Sequence, residues 1–401
     1  MVLIGMSKKI SVGFLINIVL MSIALTIIVT VFLVSRSYRQ ENGELAAELK
    51  KYELVDEIEK YIENAYYGEV DDEKAMNEML ASYVASLDDK YSRYQSPEEY
   101  RISSVNDAGN RIGIGITVKY REDDMNIEIM SVNAESPAEE ADLHAGDIIT
   151  GVDGQKVADV GYMKAINLVG DGETGSIIKL NVLRDNEPMD IEVIRKEITV
   201  VTAEGKMLED NIGYVKLSHF SGNTGEQFNN AVNELIEQGA NGFVFDVRNN
   251  GGGYVTTVEE CLDPFLPEGD IAIAKYKDGK EETIIKSDNE EMDIPMTILI
   301  NGNSASGAEL FSAALRDFGK AELVGVKSYG KGVMQDTFKL SNGGALTLTV
   351  AYYQTVKSDC YHGIGIEPDY EIDMEDDSKT DVQLEKAIEV VKKSMSGNNA
   401  A

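Results

Sequence analysis

Three near-continuous apolar runs, residues 242–247, 294–300 and 323–326, each stop at a loop rich in glycine, serine or asparagine. Runs without polar alternation suit strands buried on both faces, the condition of a parallel sheet covered by helices. An alternating strand over 212–217, an amphipathic helix over 225–238 and a strong strand over 346–352 complete an α/β pattern. In open α/β sheets, sites form beyond the carboxyl ends of the strands. The three loops are therefore where chemistry is expected. They read Asp246-Val247-Arg248-Asn249-Asn250-Gly251-Gly252-Gly253, Asn301-Gly302-Asn303-Ser304-Ala305-Ser306-Gly307-Ala308-Glu309 and Ser328-Tyr329-Gly330-Lys331-Gly332-Val333-Met334-Gln335.

A serine hydroxyl is a poor nucleophile until a base takes its proton. His144, His219 and His362 are scattered and lie in no motif with a matching acid. A desolvated lysine is the natural alternative base, because burial disfavours its charged form. Either Ser304 or Ser306 could supply the hydroxyl, and Ser306 could instead be a helix cap. Free N–H groups at a helix start favour developing negative charge. The N–H of Gly307, with that of Gly252 or Gly253, is expected to form an oxyanion hole.

The formal charge of −33 argues against a nucleic-acid partner. Cys261 and Cys360 lack metal-ligand spacing and the three histidines are scattered, so a metal site is not expected, and no motif implies an organic cofactor. Near the N-terminus, residues 14–34 are apolar almost throughout, long enough to span a bilayer as a helix. Lys8 and Lys9 precede the run, Arg36 and Arg39 follow it, and it lacks a small-residue cleavage site. The expectation is an uncleaved signal anchor, single-pass in the cell membrane. It leaves 1–13 in the cytoplasm and the acidic remainder outside it.

Residues 35–107 read as a helical stalk and lead-in, serving either as a homodimer contact or as a packing arm. From 108 to 197 short strands take over, with a helix opening at Ser136-Pro137-Ala138 and a longer one over 160–169. This segment resembles a PDZ domain. The likeness places a peptide's terminal carboxylate on the backbone of Gly113, Ile114, Gly115 and Ile116 by strand addition. Asp142 stands where that pattern usually has glycine.

Taken in order, SLDDKYSRY, the PDZ-like segment, DVRNNGGG, NGNSASGAE, SYGKGVMQ and HGIGIEPD resemble the C-terminal processing peptidases, also called tail-specific proteases. The resemblance implies a multidomain α/β chain. It comprises a transmembrane helix, the helical lead-in, a PDZ partial β-barrel and a crotonase/ClpP-like peptidase core over 198–375. A C-terminal helix and tail fill 376–401, the helix expected over 381–391. It implies Ser306 as nucleophile, Lys331 as general base, Gln335 orienting the lysine and Asp317 as a supporting acid. The implied activity is endopeptidase cleavage of protein or peptide substrates recognised by their free C-termini. An inactive PDZ receptor and a crotonase-like acyl-CoA enzyme are the alternatives, the second leaving the PDZ segment and the anchor unexplained.

Overall fold

The computed structural model describes residues 21–22, 25–26, 29–31, 50, 52–170, 172–288, 291–374 and 380–398. The expected anchor over 14–34 lies outside the described residues except for isolated positions. Among the described residues no helix is long and apolar enough to cross a membrane. The chain divides into two units, Met1–Ala75 and Met76–Ala401.

The first unit contains α1 (Glu53–Ala65) and the start of α2 (Asp72–Ala85). Helix α1 carries Leu54, Ile58, Tyr61 and Ile62 at helical spacing, and all four are exposed.

The second unit opens its sheets with β1 (Arg93–Gln95), followed by α3 (Pro97–Asp107). Ser96 caps α3, accepting from Glu99 N while the Glu99 carboxylate accepts from Ser96 N. Then come β2 (Asn110–Gly113), β3 (Ile116–Arg121), β4 (Asn126–Val132), α4 (Pro137–Glu140), β5 (Ile148–Val152), β6 (Gln155–Lys156), α5 (Val157–Val160), α6 (Tyr162–Gly170), β7 (Ile177–Arg184), β8 (Glu187–Ile194) and β9 (Lys196–Thr199). Strands β3-β4-β5-β7-β8 form one antiparallel sheet with β3 at its edge. Its core holds Ile127, Ile129, Ile149, Leu180, Val182 and Val193. Asp142 adopts φ 60°, the left-handed conformation that glycine would favour. The turn survives because Arg184 donates to both the carbonyl and the carboxylate of Asp142. Strands β2 and β9 pair with each other and carry the chain into and out of this module. One amide grips both crossings: Asn223 Nδ2 donates to Gly109 O at 2.9 Å and to Val200 O at 3.4 Å.

The remaining elements are β10 (Ala203–Met207), β11 (Ile212–Leu217), α7 (Thr224–Glu237), β12 (Gly242–Asp246), α8 (Val255–Leu262), β13 (Gly269–Tyr276), β14 (Glu281–Ser287), β15 (Met296–Ile300), α9 (Gly307–Asp317), β16 (Ala321–Gly325), β17 (Val333–Lys339), β18 (Ala345–Thr355), β19 (Tyr370–Glu371) and α10 (Val382–Asn398). The sheet β10-β11-β12-β15-β16-β19 is parallel from β11 onward. Every residue of β12 and β15 is buried, as their unbroken apolar character requires. Side chains alternate between two cores. Phe243 and Phe245 face α7, α8 and α9, joining Phe228, Phe265 and Phe311. Each such burial contributes about 1.5–3 kcal/mol. Val244, Leu299 and Val324 face α10 through Ala387, Val390 and Val391. That helix continues to Asn398 rather than ending at 391, because Met395 extends its apolar face against the sheet. A second, antiparallel sheet runs β1-β18-β13-β14, with β17 also on β18.

Candidate active site

The loop after β12 is held by its own side chains. Asn250 Nδ2 donates to Leu217 O at 3.0 Å, and Asn250 Oδ1 accepts from Gly252 N at 2.8 Å. Gly252 and Gly253 have φ of 104° and 146°. A Cβ at Gly253 would stand 2.1 Å from Phe220 O, and one at Gly252 would stand 2.7 Å from both Gly307 N and the Ser306 Cβ. Glycine is therefore required at both positions. Of the expected oxyanion donors, Gly252 N is already committed to Asn250. Gly253 N and Gly307 N remain, and they lie close together, since a Cβ at Gly307 would be 3.3 Å from Gly253 N.

The turn after β15 separates its two serines by role. Ser304 is fully buried, donates to Val247 O at 2.8 Å and accepts from Asn301 N at 2.9 Å. It serves the loop and has no hydroxyl proton to spare. Ser306 is the N-cap residue of α9, held at a strained φ 54° and ψ −116° with the Glu309 carboxylate accepting from its N–H. The cap position and the strained backbone thus coincide at Ser306, and the strain sets it apart from Ser304. The Ser306 Oγ stands 3.4 Å from the Tyr353 hydroxyl, which donates to Lys331 O at 2.9 Å. Ser306 and the lysine segment thus meet at one phenol.

Glu309 joins them more firmly. Its carboxyl is 1% exposed. Oε2 accepts from Ser306 N at 2.9 Å and Lys331 N at 2.7 Å; Oε1 accepts from Gly330 N at 2.6 Å and Ser328 Oγ at 2.5 Å. One buried carboxyl therefore sets the spacing of the serine and lysine backbones. Burial pushes the Tyr353 phenol upward, so it stays a neutral donor.

Burial holds the Lys331 ammonium below the usual lysine value, and the Arg93 guanidinium adds to that effect. The direction suits a base. Its Nζ lies 4.7 Å from the centroid of the Tyr91 ring, and no hydrogen bond joins it to Ser306 Oγ. Asp89, Ser92 and Thr349 buttress this wall: Ser92 Oγ donates to Asp89 and accepts from Thr349 N at 3.1 Å. Burial pushes the Asp89 carboxyl up, but hydrogen bonds from Ser92, Thr349 and Tyr91 leave it below the usual carboxylate range.

Two expected participants make no hydrogen bond to Ser306 or Lys331. Gln335 donates to Val333 O and Thr349 Oγ1, each at 3.2 Å, and makes no hydrogen bond to Lys331. A register irregularity between Met334 and Gln335 shifts it along β17. Gln335 reaches the site only through Thr349. Asp317 lies at the far end of α9, roughly 15 Å along the axis from Ser306, and accepts from Thr355 Oγ1 at 2.5 Å. Its carboxylate fastens α9 to β18.

The histidines do not form a triad with Ser306. His362 Nδ1 accepts from Gly332 N at 3.2 Å. His219 is held below the usual imidazole value by burial, with Asp107 opposing, and makes no hydrogen bond to Ser306. Cys261 is a buried free thiol inside α8, and Cys360 is a second free thiol. Tyr353 was missed from sequence, and Asp89 and Tyr91 stood in the SLDDKYSRY segment without an assigned role. Glu309 stood in the motif quoted for the serine turn, and its place three residues after Ser306 was the available signal.

In the PDZ-like module, Ile114 O accepts from Ala138 N at 2.8 Å and Gly115 O accepts from Asn133 N at 2.9 Å. Gly115 has φ 82°, and a Cβ there would stand 2.4 Å from the Ser136 Cβ. This turn delivers Ile116 to the start of β3, whose outer edge is unpaired in the sheet.

Residues 211–372 match the model of peptidase family S41, and residues 112–194 match that of a PDZ domain. The chain is 30% identical over 345 residues to the carboxyl-terminal-processing protease of Synechocystis sp., covering 83% of this chain and 80% of the relative. It is 30% identical over 331 residues to the carboxy-terminal processing protease CtpA of Bacillus subtilis, covering 82% and 70%. A solved chain from Bacteroides fragilis is similar with a TM-score of 0.50 over 82% of this chain and 91% of that one; at 19% identity the likeness is of fold alone.

Proposed function

The chain belongs to the carboxyl-terminal-processing proteases of peptidase family S41, serine-type peptidases, and from that premise we propose that it cleaves proteins through a Ser306–Lys331 dyad. The observation that carries the reading is the Glu309 carboxyl, which accepts from the backbone N–H of both residues. Neutral Lys331 takes the Ser306 proton as Oγ attacks the scissile carbonyl. The N–H groups of Gly253 and Gly307 receive the oxyanion. Lys331 then returns its proton to the leaving amine. Water, deprotonated by the again neutral Lys331, then releases the acyl group. Tyr353, hydrogen-bonded to Lys331 O, helps to hold the Ser306 hydroxyl in place.

The substrate's free C-terminus binds the Gly113–Ile116 turn and adds a strand to the open edge of β3. The positive φ of Gly115 and the free edge support this role. The apolar segment 14–34 anchors the chain in the cell membrane with its acidic bulk outside the cytoplasm. The exposed apolar stripe of α1 pairs with a second copy. Carbonate extraction of membranes tests the anchor, and light scattering of a Leu54→Ser, Ile58→Ser variant tests the pairing. The chemistry is tested on an unfolded reporter with a free C-terminus. Wild type cleaves it; Ser306→Ala and Lys331→Ala do not. Cleavage that survives Lys331→Ala removes the dyad.

A further inference from the structure

The lead-in to β1 supplies a wall of the site that neither motif contains. Asp89 accepts from Tyr91 N at 3.0 Å and from Ser92 Oγ at 2.6 Å, and β1 pairs Arg93 with Thr347 on β18. These contacts fix the Tyr91 ring beside Lys331. Two ammonium groups share that ring: Lys331 Nζ at 4.7 Å and Lys90 Nζ at 4.9 Å from its centroid. Lys90 also donates to the Tyr329 hydroxyl at 2.8 Å. A ring face attracts a charged amine and has no such hold on a neutral one.

We propose that Tyr91 is a positioning residue for Lys331: its ring seats the protonated amine away from Ser306, and loss of the proton frees the amine to reach Ser306 Oγ. The proposal rests on the dyad reading above. It explains why Lys331 Nζ touches a ring and makes no hydrogen bond to Ser306 Oγ in this structure. The lead-in thereby sets the pH at which the dyad assembles.

Other groups face this lysine. Arg93 on β1 and Lys90 oppose its charge, while Asp89 and Tyr329 favour it. Glu309 of α9 and Tyr353 of β18 meet its backbone rather than its amine. Beyond Tyr91 lies the His362 ring, at 6.3 Å. Cys360 donates to Gly332 O at 3.5 Å.

The test is the acidic limb of kcat/KM against pH for the full chain on the unfolded reporter. Tyr91→Leu keeps apolar bulk but removes the π face, so the limb should move to lower pH by roughly 0.5–1 unit. Activity at neutral pH then rises about 3–10-fold by the same conversion. Tyr91→Phe keeps the ring and the wild-type limb. Lys90→Gln, on an exposed side chain, removes the competing cation and should move the limb to higher pH. Tyr91→Met, a second ring-free side chain, carries the test if Tyr91→Leu fails to fold. A role confined to packing would lower activity without moving the limb. An unmoved limb in Tyr91→Leu, or no upward shift in Lys90→Gln, overturns the proposal while Lys331→Ala remains inactive. Activity in Lys331→Ala would instead overturn the dyad itself.

Discussion

Strand β3 of the PDZ domain and strand β12 of the peptidase core both adjoin glycine turns, yet they are finished in opposite ways. β12 is buried along its whole length between two parallel neighbours, and its loop is locked by Asn250, Asn301 and Ser304. β3 is half-buried and paired on one side only. The locked loop suits chemistry, where misplacement by about 1 Å costs on the order of 10²-fold. The open edge suits recognition, where a partner strand supplies the missing hydrogen bonds. The same residue type therefore serves two ends: at Gly253 it admits a close backbone approach, and at Gly115 it turns the chain toward a vacant edge.

The sharpest division between the regions comes from the core. Ser306→Ala and Lys331→Ala should each lower kcat on the order of 10⁴–10⁶-fold, and the double variant should be no worse, since the two act as one unit. Turnover measured on a short peptide lacking a PDZ-binding tail checks this without the PDZ domain. Gly253→Ala should cost roughly 10²–10³ in kcat, because its Cβ collides with Phe220 O and displaces an oxyanion donor. Gly115→Val should instead lower kcat/KM for a protein with a free C-terminus, by about 10-fold or the equivalent of ~1.4 kcal/mol. It should leave short-peptide turnover unchanged. If Gly115→Val lowers both activities alike, the two regions are not separable. Asp317→Asn should change kcat less than about 3-fold, because Asp317 bonds Thr355 and makes no hydrogen bond to Ser306 or Lys331.

On the proposed dyad, Lys331 also links activity to stability. Burial holds its folded-state value below its unfolded one, so between those two values the unfolded chain binds more protons. The cost is present at neutral pH and is removed as pH rises from the folded value to the unfolded one. Lys331→Met should therefore raise Tm near neutral pH while abolishing turnover, which differential scanning calorimetry would read directly.

Much of the core was legible because its apolar runs had no competing pattern: β12, β15 and β16 ended at the loops that form the site. Strands β8, β13 and β14 were missed for a local reason. Their hairpins turn on Asp185-Asn186, both with positive φ, and on Asp278-Gly279, with Gly279 at φ 84°. Both are short turn signals flanked by charged residues that mask the alternation. Ser304 and Ser306 could not be ranked from spacing alone; burial and backbone strain separate them. The hydrogen-bond partners of Gln335 and Asp317 could not be read from sequence, because position in a motif does not report side-chain direction. Tyr91 and Lys331 are far apart in sequence, and the β1–β18 pairing with the Lys90–Tyr329 and Ser92–Thr349 hydrogen bonds brings their segments together.

The most direct measurement is the rate at which an active ester acylates Ser306, followed by intact mass across pH. The account predicts a single-proton rise with a midpoint below that of an ordinary lysine, and loss of both rate and pH dependence in Lys331→Ala. Acylation of Ser306 in Lys331→Ala at the wild-type rate would contradict it.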